Sequence, residues 1–193
     1  MGWPHPRPWL PARRVVPTVG LHQIGDEKIG SLYGVTTLEH FAEMTRSDWL
    51  EAVGFTLPAN PLPSRYPTEE ELRKVLDSLD GYSASYQIDA YTCFADVTSA
   101  QDRDGPQYIG VRLTKPLRDE HPTLAFEKGS DRLVLMIVEK LSHVCGPLVL
   151  DSDLDGAPVL VTPGIDIDSA LEGWLALAER IQALTSGGRW HSR

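Results

Sequence analysis

Between Leu141 and Glu179 the chain has no lysine and no arginine, yet it has seven acidic residues: Asp151, Asp153, Asp155, Asp166, Asp168, Glu172 and Glu179. Whatever its conformation, such a stretch carries a negative field, which speeds encounters with a cationic partner and repels anionic ones. The whole chain shares the bias, with a formal net charge of −9 over 193 residues. That balance argues against a nucleic-acid partner, since phosphate binding needs clustered Lys and Arg.

Other scarcities narrow the reading further. No apolar run approaches the roughly 20 residues a membrane-spanning helix needs, so no membrane partner is expected. The opening MGWPHPRPWLPARRVV has no uninterrupted apolar core and no small-residue cleavage site. Its prolines also oppose a helical targeting peptide, and the expected location is the cytoplasm. There are two cysteines, Cys93 and Cys145, with no CxxC or Cys/His spacing; they read as small buried thiols, not as a disulfide or a metal site. The six histidines, His5, His22, His40, His121, His143 and His191, are scattered and form no HxxxH or HExxH pair, so no metal site is assigned. GxSxG and glycine-rich phosphate-binding patterns are missing as well. Neither catalytic residues nor a cofactor are assigned on this reading.

What is present is enough for one buried core, with 41% hydrophobic residues. Residues 1–35, rich in Pro and Gly, read as an irregular arm with at most one short strand. Trp3 and Trp9 there, and Trp190 in the closing RWHSR, are large aromatics expected to dock on something. Residues 36–53 read as two helical pieces: Thr36 with Glu39 has capping-box spacing, and Ser47-Asp48 opens the second piece. FTLPANPLPSRYP (55–67) holds four prolines, too many for a helix or inner strand, and reads as an extended linker and a boundary. The expected division is a Pro-rich arm with short helices over 1–66 and a core domain over 67–188.

Stronger signals follow the linker. TEEELRKVLDSLDG (68–81) has Thr68 as N-cap, Glu71 three residues on, and Leu72, Val75, Leu76 and Leu79 at helical spacing. SYQIDAYTCFADV (85–97) reads as a strand or bent strand pair. QYIGVRL (107–113) alternates Ile109, Val111 and Leu113 with Tyr108, Gly110 and Arg112, and PTLAFE (122–127) reads as a further strand. The helix over 130–147 is capped by Ser130, has Leu133, Val134, Ile137, Leu141 and Val144 on its apolar face, and stops at Gly146-Pro147. LVL (148–150) and PVLVT (158–162) are short strands. A last helix over 168–188 starts at Asp168, with Leu171, Trp174, Leu175, Ala178, Ile181 and Leu184 as its stripe. Strict βαβ alternation is missing, so the expected fold is α+β: a largely antiparallel sheet with helices packed on one face.

The acidic loop LDSDLDG lies between two predicted strands. Asp151, Asp153, Asp155 and Gly156 match the first half of an EF-hand calcium loop, but Thr162 stands where the bidentate Glu belongs. An alternative is a small cation-dependent hydrolase centred on Asp151–Asp155, with a strand-end Asp pair as nucleophile and acid/base. It lacks an electrophilic partner, because no residue between Asp153 and Arg180 is Lys or Arg. A solvent-exposed turn closed by Asp155-Gly156 is the structure expected here in preference to either site.

Residues 126–161, with Phe126 and Gly129 ahead of a helix, Gly146-Pro147 at its stop, and Asp155-Gly156-x-Pro158 in a hairpin, resemble a segment of the small immunity proteins encoded beside bacterial polymorphic toxins. The resemblance implies a cytoplasmic, non-enzymatic inhibitor that covers a cognate toxin. Joined to the acidic composition, it predicts a protein partner, a basic toxin domain, met by Asp151, Asp153, Asp155, Asp166, Asp168 and Glu172.

Overall fold

A computed structural model describes residues 32–45, 47–99, 107–116, 121–127, 129–152 and 156–186. Along these residues the order is β1 (Leu32–Thr37), α1 (Leu38–Met44), α2 (Ser47–Val53), α3 (Glu69–Asp77), β2 (Tyr82–Ile88), β3 (Thr92–Ser99), β4 (Gln107–Thr114), β5 (Thr123–Glu127), α4 (Asp131–Cys145), β6 (Leu148–Ser152), β7 (Pro158–Val161) and α5 (Ile167–Ser186). The strands form a seven-stranded sheet in the order β2-β3-β4-β5-β1-β6-β7. Every neighbouring pair is antiparallel. The fold is α+β, as its sequence predicts.

Alternation decides which face is buried, because successive side chains leave a strand on opposite sides. Ile109, Val111 and Leu113 of β4 are buried, and their register partners Val97, Ala95 and Cys93 in β3 are buried with them. Phe126 and Leu124 of β5, Tyr33 and Val35 of β1, and Leu148 and Leu150 of β6 continue this face across the sheet. Helices α3, α4 and α5 cover it, with Leu72 and Leu76, Ile137 and Leu141, and Trp174 and Ile181 in one continuous cluster. Each such side chain contributes about 1.5–3 kcal/mol on burial.

One end of the sheet is covered on both faces. Val149 and Leu160 point away from α3–α5, and Val149 is buried with Leu38 and Phe41 of α1 and Leu50 of α2. That two-sided burial accounts for the unbroken apolar run at the start of β6.

Local cap chemistry agrees with the sequence at two helices and departs from it at two others. Thr68 and Glu71 form a complete capping box at α3, and the Ser130 hydroxyl accepts from the Leu133 N–H at α4. At α1 the cap is Thr37, not Thr36; Thr36 still belongs to β1, and Glu39 turns to Ser64 instead. At α5, Asp166 accepts from the Ser169 N–H, while Asp168, expected as the cap, lies in the first turn. The predicted apolar faces also shift slightly. Val144 is 46% exposed and Leu175 51% exposed, whereas Val138 and Leu177 are buried.

The 66/67 division does not separate two units. β1, from the supposed arm, lies between β5 and β6 and hydrogen-bonds to both. The linker is also fastened down. Arg65 donates its backbone N–H to Cys145 O at 2.9 Å, and its guanidinium grips Glu71 at 2.6 and 2.8 Å. Ser64 accepts from the Leu38 N–H and donates to Glu39 at 2.6 Å. Polar side chains moor the linker between α1, α3 and α4. Trp3, Trp9, Trp190 and the predicted turn over 101–106 lie outside the described residues.

Candidate functional site

The acidic segments converge on one end of the sheet, though not on one face. Tyr33 is the reference point. It pairs with Ser152 of β6, its hydroxyl donates to Asp131 at 2.6 Å, and its ring packs edge-on against Trp174, with centroids 5.9 Å apart. The Trp174 indole N–H donates to Ala157 O at 2.8 Å. These contacts tie the opening of α5, the opening of α4 and the β6–β7 hairpin together. Asp166, Asp168 and Glu172 therefore belong to the same end of the molecule as Asp151. Asp153 and Asp155, between β6 and β7 in the sequence, lie outside the described residues.

These carboxylates are not equivalent. Asp151 is half-buried on β6 and turned to the face away from α5; a Cβ at Gly34 would lie 2.6 Å from its Oδ1, so the absence of a side chain at Gly34 makes room for it. The Ser169 backbone N–H holds the Asp166 carboxyl below the usual carboxylate range, with the Ser169 hydroxyl and nearby Arg132 adding to it. Asp168 is ion-paired with Arg132. Glu172 projects into solvent. The sequence predicts a patch with no compensating cation; Arg132, from the first turn of α4, corrects that for Asp168.

A second surface is the face of β2–β5 that the described helices leave uncovered. It carries Phe94, Asp96, Tyr108, Arg112 and Glu127. Arg112 pairs with Glu127 at 2.6 Å, and the Tyr108 hydroxyl donates to Asp96, which pushes the phenol up to about 12. The Phe94 ring lies over Gly110, where a Cβ would come within 3.3 Å of it. On this face Glu127 is thus paired with Arg112, and Asp96 is held by Tyr108.

The histidines are less scattered than the sequence suggests. His40 of α1 and His121, just before β5, meet edge-to-face with ring centroids 4.3 Å apart. They line an open depression of about 400 Å³ with Glu39, Glu43, Ser64 and Tyr66. Nothing in the sequence signals this contact, because the partners come from distant segments. Ser64 holds the Glu39 carboxyl below its ordinary value, and burial, then Asp151, holds the Tyr66 phenol above its own. No group of three or more His, Cys, Asp or Glu residues suited to a metal ion occurs among the described residues. Cys93 and Cys145 are both buried and unlinked, as predicted, and burial pushes the Cys145 thiol up to about 11. Among the described residues, no helix is long and apolar enough to cross a membrane.

Compared with protein-family models, with curated proteins and with solved structures, the chain matches none of them.

Proposed function

We propose that this is a non-enzymatic binding protein, an immunity- or antitoxin-like inhibitor that meets a basic protein partner with its acidic end. The observation that carries the reading is the convergence of Asp151, Asp166, Asp168 and Glu172 on the end of the sheet organised by Tyr33 and Trp174. A rigid scaffold under such carboxylates preorganises the surface, and opposite charges meeting across an interface raise the association rate and fix register. Arg132 divides the labour among them. Asp168 is already paired, whereas Glu172 projects into solvent and is a group that a cationic partner would meet first.

The direct test is co-purification with the product of the adjacent gene, followed by binding measurements at rising salt. Asp151→Asn, Asp153→Asn, Asp155→Asn and Glu172→Gln in combination are expected to slow association by at least about tenfold at low ionic strength. The effect shrinks as the Debye length falls towards about 3 Å at 1 M salt. An association rate that responds to neither salt nor these replacements removes the acidic end from the interface.

A further inference from the structure

The two edges of the sheet are built very differently. β7 is four residues long and begins with Pro158, and a short strand carrying proline is a standard protection against pairing with another chain. β2, at the other edge, is seven residues long, YSASYQI, and has neither a charge nor a proline. Such an edge ordinarily carries some device that blocks pairing.

The hydrogen-bond phase of β2 follows from its hairpin. The Asp89 N–H donates to Thr92 O, so this pair is a hydrogen-bonded one, and alternate pairs inward repeat it: Gln87 with Phe94, Ser85 with Asp96, and Ser83 with Thr98. Tyr82, Ala84, Tyr86 and Ile88 therefore direct their backbone groups outward. The Tyr82 N–H is satisfied by Leu79 O at 3.2 Å. Among the described residues, no partner meets the outward N–H and C=O groups of Ala84, Tyr86 and Ile88. Ile88 is also 46% exposed, a large apolar side chain at the end of an open edge.

We infer that β2 pairs with β2 of a second copy of this chain, antiparallel about a twofold axis through Ser85. The register is self-complementary about Ser85, as an isologous contact requires. Ala84 stands opposite Tyr86 of the second copy, so the outward-directed backbone groups of these two residues meet, while Tyr82, whose N–H stays with Leu79 O, lies opposite Ile88. All four side chains lie on the helix-covered face, apolar against apolar. On the other face Ser83 meets Gln87, and Ser85 meets itself.

Charge supports the same occupant. Tyr86, one residue from the axis, carries two side chains of opposite sign from α3. Arg73 stacks over its ring at 5.1 Å, and Asp77 accepts from its hydroxyl at 2.6 Å. Both are exposed on α3. The flank of this edge thus carries one charge of each sign, and no net charge there opposes an identical flank. This contact lies at the edge of the sheet remote from the acidic end, and it leaves that end free for a different partner.

Sedimentation velocity on the full chain across a concentration series tests the inference. The expected result is a species of twice the chain mass that dissociates on dilution. Ser85→Lys places two ammonium groups against each other at the axis and is expected to raise the dissociation constant at least about tenfold. Ala84→Pro removes an outward N–H without touching the β2–β3 ladder, and it is expected to weaken the dimer comparably. Circular dichroism and thermal melting monitor whether each variant remains folded. Ser85→Cys provides an independent readout. The two Ser85 residues form a non-hydrogen-bonded pair, where Cα atoms approach about 4.5 Å, and mild oxidation is expected to cross-link them. A wild-type chain that stays monomeric throughout the series, or a dimer unaffected by Ser85→Lys and not cross-linked through Ser85→Cys, overturns the proposal.

Discussion

Glu71 shows how much one side chain can organise. It accepts from the Thr68 N–H to complete the capping box and takes both guanidinium nitrogens of Arg65. Arg65 above all, then the Thr68 N–H, lowers its carboxyl from an ordinary 4.5 to about 2. Because the folded value is the depressed one, the stabilisation is complete above the ordinary value and is lost as pH falls from about 4.5 towards 2. Glu71→Gln is expected to lower the melting temperature at neutral pH, and the gap from wild type should close towards pH 2. A constant gap across a pH series of thermal melts would exclude the linkage. The cap itself was legible, since Thr68 and Glu71 stand three residues apart in the sequence. The Arg65 partnership was not; an arginine next to a proline-rich stretch has many options until the chain folds. The same holds for Arg132 and Asp168, which the sequence separates by 36 positions.

Among the elements, the 55–67 segment and the end of α4 depend on each other. Gly146 ends α4 at φ +79°, and a Cβ there would lie 2.2 Å from Pro63 O. A glycine is thus required both for the turn and for the close passage of the linker. Gly146→Ala is expected to cost about 1–3 kcal/mol or more, seen as a lower urea midpoint with an unchanged slope. A midpoint within error of wild type would mean that the linker shifts freely. The Gly146-Pro147 stop could be read directly, because a helix terminus is local chemistry. The hairpin between β2 and β3 could not. Its turn contains neither Gly nor Pro; the Asp89 carboxylate makes it by accepting from the N–H groups of Tyr91 and Thr92, each at 2.7 Å. The stretch 85–97 accordingly gives no clear break in the sequence where the structure has two strands.

For the whole molecule, an element order without strict βαβ alternation was enough to predict a largely antiparallel sheet layered with helices. The strand order was not predictable, since register between distant strands is set by the completed core. The placement of β1 is the main consequence. Removing residues 1–66 takes out an inner strand and opens the sheet between β5 and β6. A chain of residues 67–193 is therefore expected to show no cooperative thermal transition, whereas the full chain melts in a single step. A sharp melt of the shortened chain, with native-like circular dichroism, would restore the division at the linker. The acidic composition of the last third was fully legible. Which of its carboxylates are already paired was not.

The position of β1 also sets a timetable. Its residues leave the ribosome before either strand that flanks it, and β6 follows only after residues 148–152 have been made. Until β5 has been made, Tyr33 and Val35 have no neighbouring strand to join, so the contacts of β1 are long-range ones, which slow folding and lengthen the exposure of apolar surface. During synthesis β1 can first pair with β5, and its other edge is closed only when β6 has emerged.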